Sequence, residues 1–248
     1  MKNSPIRALG RMQASLAKRL FWRQHLAEAQ ARLRQLTTDL PTTEMMMAVP
    51  FVFQGKGFYR TLDLKQNMLE LLGLVNVLRG RELKRVCEIG TFRGGTLYIW
   101  CQLASSDAQI ISVDLPGGQF GGGYTERSLP FFQSFRKTSQ KLDCIRGSSH
   151  DEEIRAEFKK TLGIAELDFL FIDGDHSYTG VRKDFEFYSR FVKRGGVIGL
   201  HDIHHRPEQP SIEVHKLWQE LKSIHRHQEF IEATSDRRRI GIGVIYKD

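Results

Sequence analysis

The sequence has few cysteines and no long apolar run, and each shortage excludes a class of protein. Cys87, Cys101 and Cys144 are the only cysteines among 248 residues, and they fall in apolar patterns without metal-like spacing. We therefore expect buried free thiols in a reducing compartment, and a cytoplasmic protein. No apolar stretch approaches the ~20 residues of a membrane span, and no signal-peptide pattern opens the chain.

Positive charge is concentrated in the first 38 residues. These carry eight Lys or Arg and one acidic residue, whereas the rest of the chain is close to balanced. Apolar residues recur at three- and four-residue steps, which predicts a long helix over residues 5–38. This basic arm could contact a membrane surface peripherally, bind nucleic acid, or pack on its own domain or a second subunit as a homo-oligomer. We favour packing, because amphipathic helices usually bury their apolar side against protein, and we regard nucleic acid as an unlikely partner.

An irregular joint is expected after the arm, because Pro41 and Pro50 bracket it. The aromatic segment 51–59 that follows could form a substrate lip or fill the core, which is the more common fate of such residues. The chain is therefore divided into a basic helical extension with its joint, residues 1–60, and a main domain, residues 61–248.

The main domain alternates between strand and helix patterns. Asp63 is expected to cap a first helix that runs to about Leu78. The expected strands are 84–89, 109–114, 142–146, 167–172, 196–201, and two more near 228–233 and 239–246. This alternation predicts an α/β fold: a Rossmann-like, doubly wound, mostly parallel seven-stranded sheet with an N-terminal helical extension.

A glycine turn follows the first strand. It lacks the second glycine of the G-x-G-x-x-G dinucleotide fingerprint. A glycine turn between a strand and a helix still lets a ligand approach the backbone and directs helix N–H groups toward it. We therefore expect a cofactor site there, and its predicted members in this stretch are Glu88, Gly90, Thr91, Gly94, Gly95 and Thr96.

Polar residues at the next two strand ends extend this predicted site. Asp114 can accept hydrogen bonds from ribose hydroxyls, although an aspartate here could simply cap a turn. Ser148 and Ser149 could face an adenine ring, although Ser149 could instead cap a helix. The loop 116–124 holds five glycines and is expected to be a mobile cover whose aromatic residues, Phe120 and Tyr124, close it, or else a surface excursion.

The densest set of chemical groups follows the fourth and fifth predicted strands. Its members are Asp173, Asp175, His176, His201 and Asp202. Because neighbouring parallel strands end at the same edge of a sheet, we expect these side chains to converge beside the cofactor crevice. Carboxylates can chelate a hard dication such as Mg²⁺, and an imidazole beside them can take a proton from a hydroxyl. The alternative is that His176 and Ser177 only cap a helix, and that His201 and Asp202 make a structural hydrogen bond.

Four stretches together resemble the class I S-adenosylmethionine (SAM) methyltransferases, and more narrowly the branch of cephalosporin-hydroxylase-like proteins and macrolide-sugar O-methyltransferases. They are CEIGTFRGGT (87–96), SVDLPGGQFGGGY (112–124), FIDGDHSYTGVRKDF (171–185) and GGVIGLHDI (195–203). The resemblance implies that SAM is the cofactor, with Glu88 near its methionine end and Asp173 close to it. It further implies methyl transfer to a hydroxyl of a sugar or small-molecule acceptor.

The same resemblance implies roles around the acceptor. Asp173 and Asp202 would hold Mg²⁺ or another divalent cation, with His201 as a third ligand, and His176 would be the general base, with Asp173 assisting at the catalytic site. His201 stands where the family pattern has an acidic residue, which is a departure from that pattern. The alternatives are a nucleic-acid methyltransferase that uses the basic arm, a nicotinamide oxidoreductase on a similar fold, and a non-catalytic scaffold.

Overall fold

One mixed sheet organises the chain. The structure is a computed structural model, which describes residues 21–117, 123–232 and 239–248. Its strands are β1 (Arg85–Ile89), β2 (Gln109–Asp114), β3 (Lys141–Arg146), β4 (Leu167–Ile172), β5 (Val192–His201), β6 (His227–Phe230) and β7 (Ile242–Tyr246). Their order is β3-β2-β1-β4-β5-β7-β6, parallel except for β7, which is antiparallel to both of its neighbours. The predicted fold class is confirmed.

Helices cover both faces of this sheet. They are α1 (Trp22–Thr37), α2 (Thr43–Val52), α3 (Met68–Leu78), α4 (Gly95–Leu103), α5 (Leu129–Phe132), α6 (Glu152–Leu162), α7 (Tyr178–Tyr188) and α8 (Val214–Ile224). Two apolar clusters result, one on each side of the sheet. Every residue of β4 is buried, as expected of a central parallel strand covered on both faces.

The fifth strand begins earlier than its glycines suggest. The predicted strand covers residues 196–201, but Val192 is the first residue of β5, where it pairs with Leu167. The helix α7 ends at Tyr188, and the 3-10 turn Ser189–Phe191 leads into the strand. The predicted start at residue 196 was wrong, because pairing with β4 extends the strand back through Gly195 to Val192.

The predicted irregular joint is also wrong, since most of it forms the helix α2. The Thr42 side chain caps this helix by accepting a hydrogen bond from Met45 N at 3.2 Å. Met46 and Met47 are buried in the core, and Pro50 lies within the last turn without ending the helix. Core packing of the methionines therefore outweighs the missing proline N–H.

The helix before the first strand begins later than predicted. Asn67, not Asp63, caps α3, because the Asn67 side chain accepts a hydrogen bond from Leu69 N at 3.0 Å. Asp63 lies in the preceding loop, within 3.6 Å of Lys65 Nζ. The prediction that Asp63 caps this helix was wrong.

The described part of the basic arm packs on the main domain. Ala29 and Leu33 of α1 are buried in the apolar cluster on one face of the sheet, and the Gln30 side chain donates to Ser134 Oγ at 2.9 Å. Residues 1–20 of the predicted helix lie outside the described residues. Phe53 and Tyr59 are buried, which favours core filling over a substrate lip for these two residues.

The three cysteines are free thiols, as expected. Cys87 and Cys101 are buried, and Cys144 is half-buried. Among the residues that the structure describes, no helix is both long enough and apolar enough to cross a membrane.

Candidate active site

A cavity of about 1000 Å³ opens at the carboxyl ends of the parallel strands. This is the edge at which open α/β sheets bind ligands. It is lined by eleven of the predicted site residues: Gly90, Thr91, Thr96, Asp114, Ser148, Ser149, Asp173, Asp175, His176, His201 and Asp202. The predicted cofactor and acceptor residues therefore share one crevice.

Gly90 brings two strand ends into contact. Its φ is +85°, and a methyl group on its Cα would lie 2.1 Å from the backbone oxygen of Asp173. The Asp173 N–H donates to Ile89 O at 2.7 Å. Only glycine meets both demands, so the end of β1 depends on Gly90 to approach the chemical groups that follow β4.

Glu88 lies beneath the glycine turn and does not line the cavity. Its Oε1 accepts a hydrogen bond from Trp100 Nε1 at 2.7 Å, and its Oε2 accepts one from Thr91 Oγ1 at 2.6 Å. Burial raises the pKa of Glu88 to about 8, against the opposing effect of these donors. The structure therefore places Glu88 as a support for the turn, away from the position expected for a cofactor contact.

Gly94 and Gly95 also lie outside the cavity lining. Gly94 has a φ of +84° and precedes the first residue of α4. Gly95 N donates to Asp63 O at 3.2 Å, and a methyl group there would lie 2.7 Å from that oxygen. Gly95 allows the loop before α3 to pack against α4, whereas Gly94 leaves room for the rings of Phe132 and Phe135.

Asp114 fixes the turn from the cavity side. Its Oδ2 accepts hydrogen bonds from Thr91 N at 2.8 Å and Phe92 N at 2.6 Å. Burial raises the pKa of Asp114, although these backbone donors oppose the shift. The carboxylate thus holds the turn while facing the crevice, where a ribose hydroxyl was expected.

Tyr124 is buried and does not form part of a movable cover. It is 3% exposed, and its hydroxyl donates to Ile145 O at 3.2 Å while it accepts from Ser112 Oγ. The expectation that Tyr124 closes the glycine loop was wrong, because its ring also packs against Phe132. Phe120, its expected partner, lies outside the described residues.

His176 and Asp202 form a hydrogen-bonded pair at the wall of the cavity. His176 Nδ1 lies 2.5 Å from Asp202 Oδ2, so Nδ1 carries the proton and donates. Burial lowers the pKa of His176, but its hydrogen bond to Asp202 and the charges of Asp173 and Asp202 raise it more, and the net shift is upward. The pKa of Asp202 is lowered despite burial, because His201 and His176 donate to it.

Asp173 sits beside this pair and has two donors of its own. Its Oδ1 accepts from His201 Nδ1 at 2.9 Å, and its Oδ2 accepts from Gln66 Nε2 at 2.6 Å. His201 is buried; burial lowers its pKa, but the charges of Asp173 and Asp202 raise it well above the usual value. Sequence reasoning missed Gln66, which is 6% exposed and has no local signal that ties it to a residue 107 positions away.

Asp202 has a backbone conformation that few non-glycine residues adopt. Its φ is +63°, in the left-handed region. The chain leaves β5 there, and His204 N donates to Ile240 O at 3.0 Å, which fixes the loop. The Arg206 side chain then returns to contact Asp202 Oδ1. Such conformations cost about 1–3 kcal/mol and concentrate at functional sites.

Asp175 and Ser177 serve the helix that follows. Asp175 Oδ1 accepts from Ser177 N at 2.9 Å, and Ser177 Oγ accepts from Gly180 N at 3.1 Å, which caps α7. The capping alternative therefore holds for Ser177, and all three residues 175–177 line the cavity.

The three predicted metal ligands do come together. Single ligand atoms of Asp173, His201 and Asp202 all lie within 4.8 Å of one another. However, each of the four carboxylate oxygens already lies within hydrogen-bond distance of a nitrogen donor, on Gln66, His201, His176 or Arg206. Mg²⁺ requires oxygen ligands and water in octahedral geometry, so this donor-filled arrangement does not fit it.

A second histidine–aspartate pair lies near the two predicted adenine-facing serines. His150 lines the cavity, and its Nε2 lies 3.3 Å from Oδ1 of the buried Asp184. The nearby carboxylate of Asp184 raises the pKa of His150, although burial opposes the shift. No sequence pattern indicates this pair, because only the fold brings its two members together.

Comparison with known proteins is consistent with this geometry. Residues 87–203 match a family model described as a methyltransferase domain. An uncharacterized protein, R132, of Acanthamoeba polyphaga mimivirus is 34% identical over 145 residues, which cover 58% of this chain. The chain covers 62% of the length of that relative, which is less than two thirds.

Solved structures share the fold at low sequence identity. The O-methyltransferase TomG from Streptomyces achromogenes, involved in tomaymycin synthesis and solved in complex with SAM, matches with a TM-score of 0.53 and 14% identity, covering 88% of this chain and 96% of TomG. An O-methyltransferase from Bacillus cereus in complex with S-adenosylhomocysteine matches with a TM-score of 0.52 and 14% identity, covering 91% and 100%.

Proposed function

We propose that the chain is a SAM-dependent O-methyltransferase, because residues 87–203 match a family model described as a methyltransferase domain and contain the motifs that resemble the class I methyltransferases. Its acceptor would be a hydroxyl of a sugar or another polar small molecule. The observation that carries the proposal is the His176–Asp202 pair, which lies in the same crevice as the glycine turn at Gly90. A proton acceptor beside a cofactor crevice is what methyl transfer to oxygen requires.

The crevice offers suitable groups for SAM at its cofactor end. Gly90 and Thr91 expose the turn, Asp114 presents a carboxylate where ribose hydroxyls would lie, and Ser148 and Ser149 line the adenine side. The structures of TomG with SAM and of the Bacillus cereus enzyme with S-adenosylhomocysteine support this assignment. When bound, SAM supplies the electrophilic methyl group.

His176 is the proposed general base. Its Nδ1 donates to Asp202, so in the neutral tautomer Nε2 carries the lone pair that accepts the proton of the acceptor hydroxyl. Asp202 fixes the ring and stabilises the imidazolium that forms. Asp173, whose Oδ1 lies 3.9 Å from His176 Nε2, would help to orient the hydroxyl. A raised pKa means that the base becomes neutral, and thus active, only as the pH rises through that value.

The cavity lining includes several polar side chains. They are Asp63, Lys65, Arg93, Gln209, Ser211 and Glu213. Such groups can hydrogen-bond to several hydroxyls of one acceptor. The lining therefore favours a hydroxylated acceptor such as a sugar, in keeping with the macrolide-sugar O-methyltransferases that the sequence resembles.

The test is an assay of methyl transfer from SAM to a panel of free sugars, glycosides and hydroxylated aromatic compounds. The release of S-adenosylhomocysteine is the quantity measured. His176→Ala should lower kcat by about 10²–10⁴-fold, the usual contribution of a positioned proton acceptor. His227→Ala, which removes an exposed imidazole on the edge strand β6, is the matched control. The wild-type rate should fall in acid, and this acid limb should disappear in His176→Ala. Full activity of His176→Ala would contradict the assignment.

A further inference from the structure

Arg206 is a member of the cluster that the sequence did not single out and that the proposed mechanism does not use. It is 6% exposed, it lines the cavity, and its guanidinium contacts Asp202 Oδ1. Its Nε is buried without a hydrogen-bond partner among the described residues. Since a guanidinium is always charged in proteins, Arg206 places a permanent positive charge against this carboxylate.

His201 occupies the space between the two carboxylates. Its Nδ1 lies 2.9 Å from Asp173 Oδ1 and 3.3 Å from Asp202 Oδ2. A dication shared by Asp173 and Asp202 would have to displace this N–H. His201 also replaces the acidic residue of the family pattern, so one negative ligand has become a hydrogen-bond donor.

The backbone holds Arg206 in place. Asp202 has a φ of +63°, and the loop that follows is tied to the segment before β7 by the hydrogen bond from His204 N to Ile240 O at 3.0 Å. This path returns the chain so that Arg206, four residues on, contacts Asp202 Oδ1, while His176 contacts Oδ2. The contact is therefore built into the fold and does not depend on a flexible surface side chain.

We propose that Arg206 and His201 take the place of a divalent cation, so that the methyl-transfer site works without a metal. Arg206 is a positioning residue: it holds Asp202, and Asp202 orients the imidazole of His176. His201 links Asp202 to Asp173 and keeps the two carboxylates together. This inference rests on the proposed function, because it specifies which groups balance the carboxylate charges of the same site.

The experiment measures binding of Mn²⁺ alone, by electron paramagnetic resonance, to the full chain with and without S-adenosylhomocysteine. Wild type and Arg206→Lys, which keeps the charge, should leave the signal of free Mn²⁺ unchanged. The double variant His201→Asp/Arg206→Met should bind Mn²⁺ at least about tenfold more tightly than wild type, because changes around metal ligands shift affinity by about 10–100-fold. Arg79→Met, which removes an exposed arginine paired with Glu44, is the matched control and should behave as wild type.

Two results would overturn the proposal. One is stoichiometric Mn²⁺ binding by wild type that Asp173→Asn abolishes. The other is no Mn²⁺ binding by any variant that circular dichroism shows to be folded, because removal of the guanidinium would then not admit a cation. Calorimetry with S-adenosylhomocysteine on the same samples distinguishes failure of this proposal from failure of the proposed function. No binding of S-adenosylhomocysteine by wild type would contradict the proposed function, whereas the Mn²⁺ result tests only the roles of Arg206 and His201.

Discussion

Replacement of Gly90 by alanine should disturb the fold and the site together. The added methyl group would lie 2.1 Å from Asp173 O, 2.5 Å from Asp173 C and 2.7 Å from Gly174 N, all backbone atoms that cannot rotate away. The left-handed conformation at φ +85° costs alanine a further ~1–2 kcal/mol. Adding the ~1–3 kcal/mol typical of overpacking, we expect a loss of about 2–5 kcal/mol in the free energy of unfolding.

Gly80→Ala provides the matched control. Gly80 has a φ of +81°, but nothing lies within 4 Å of the position that its methyl group would take. The Gly80→Ala variant therefore has only the cost of the left-handed conformation. Urea denaturation should show Gly90→Ala to be less stable than Gly80→Ala by about 1–3 kcal/mol. Gly90→Ala should also bind S-adenosylhomocysteine more weakly, because Asp173 must move. Equal stability and equal affinity in the two variants would refute the reasoning.

Two further predictions concern stability. Burial raises the pKa of Glu88 to about 8, so the folded state binds a proton that the unfolded state releases near pH 4.5, and stability should fall as the pH rises through this window. Thermal unfolding of Glu88→Gln should show a smaller fall, and an identical pH profile would contradict the shift. Leu33→Ala in α1 should lower the free energy of unfolding by about 2–5 kcal/mol, because this side chain is 2% exposed. Leu69→Ala, at a residue that is 56% exposed, is the control and should change it by less than about 0.5 kcal/mol. Equal effects of the two variants in denaturation would show that the arm is not part of the core.

The sequence predicts the parallel sheet well because its strands are continuous apolar runs that end in polar residues. The strands 109–114 and 167–172 are found at the predicted bounds, and Asp114 and Asp173 line the cavity next to them. Such positions follow from a general rule, that ligands bind at the carboxyl ends of parallel strands. No long-range information is needed to find them.

The features that the sequence did not predict depend on contacts between distant segments. Gln66 reaches Asp173 across 107 positions, and no local pattern indicates that contact. Arg206 follows Asp202 by four residues, but only the left-handed turn at Asp202 reveals that they touch. Likewise, Glu88 has the residue type and position expected of a cofactor contact, yet its carboxylate is buried and accepts a hydrogen bond from the indole of Trp100.

Calorimetric titration with S-adenosylhomocysteine tests the central claim most directly, since it needs no knowledge of the acceptor. Wild type should bind S-adenosylhomocysteine and not NADH. Asp114→Ala should lose about 1–3 kcal/mol of that binding, while Asp143→Ala, a change on β3 outside the cavity lining, should bind as wild type. Binding of NADH without S-adenosylhomocysteine, or equal affinity in Asp114→Ala and Asp143→Ala, would contradict the account.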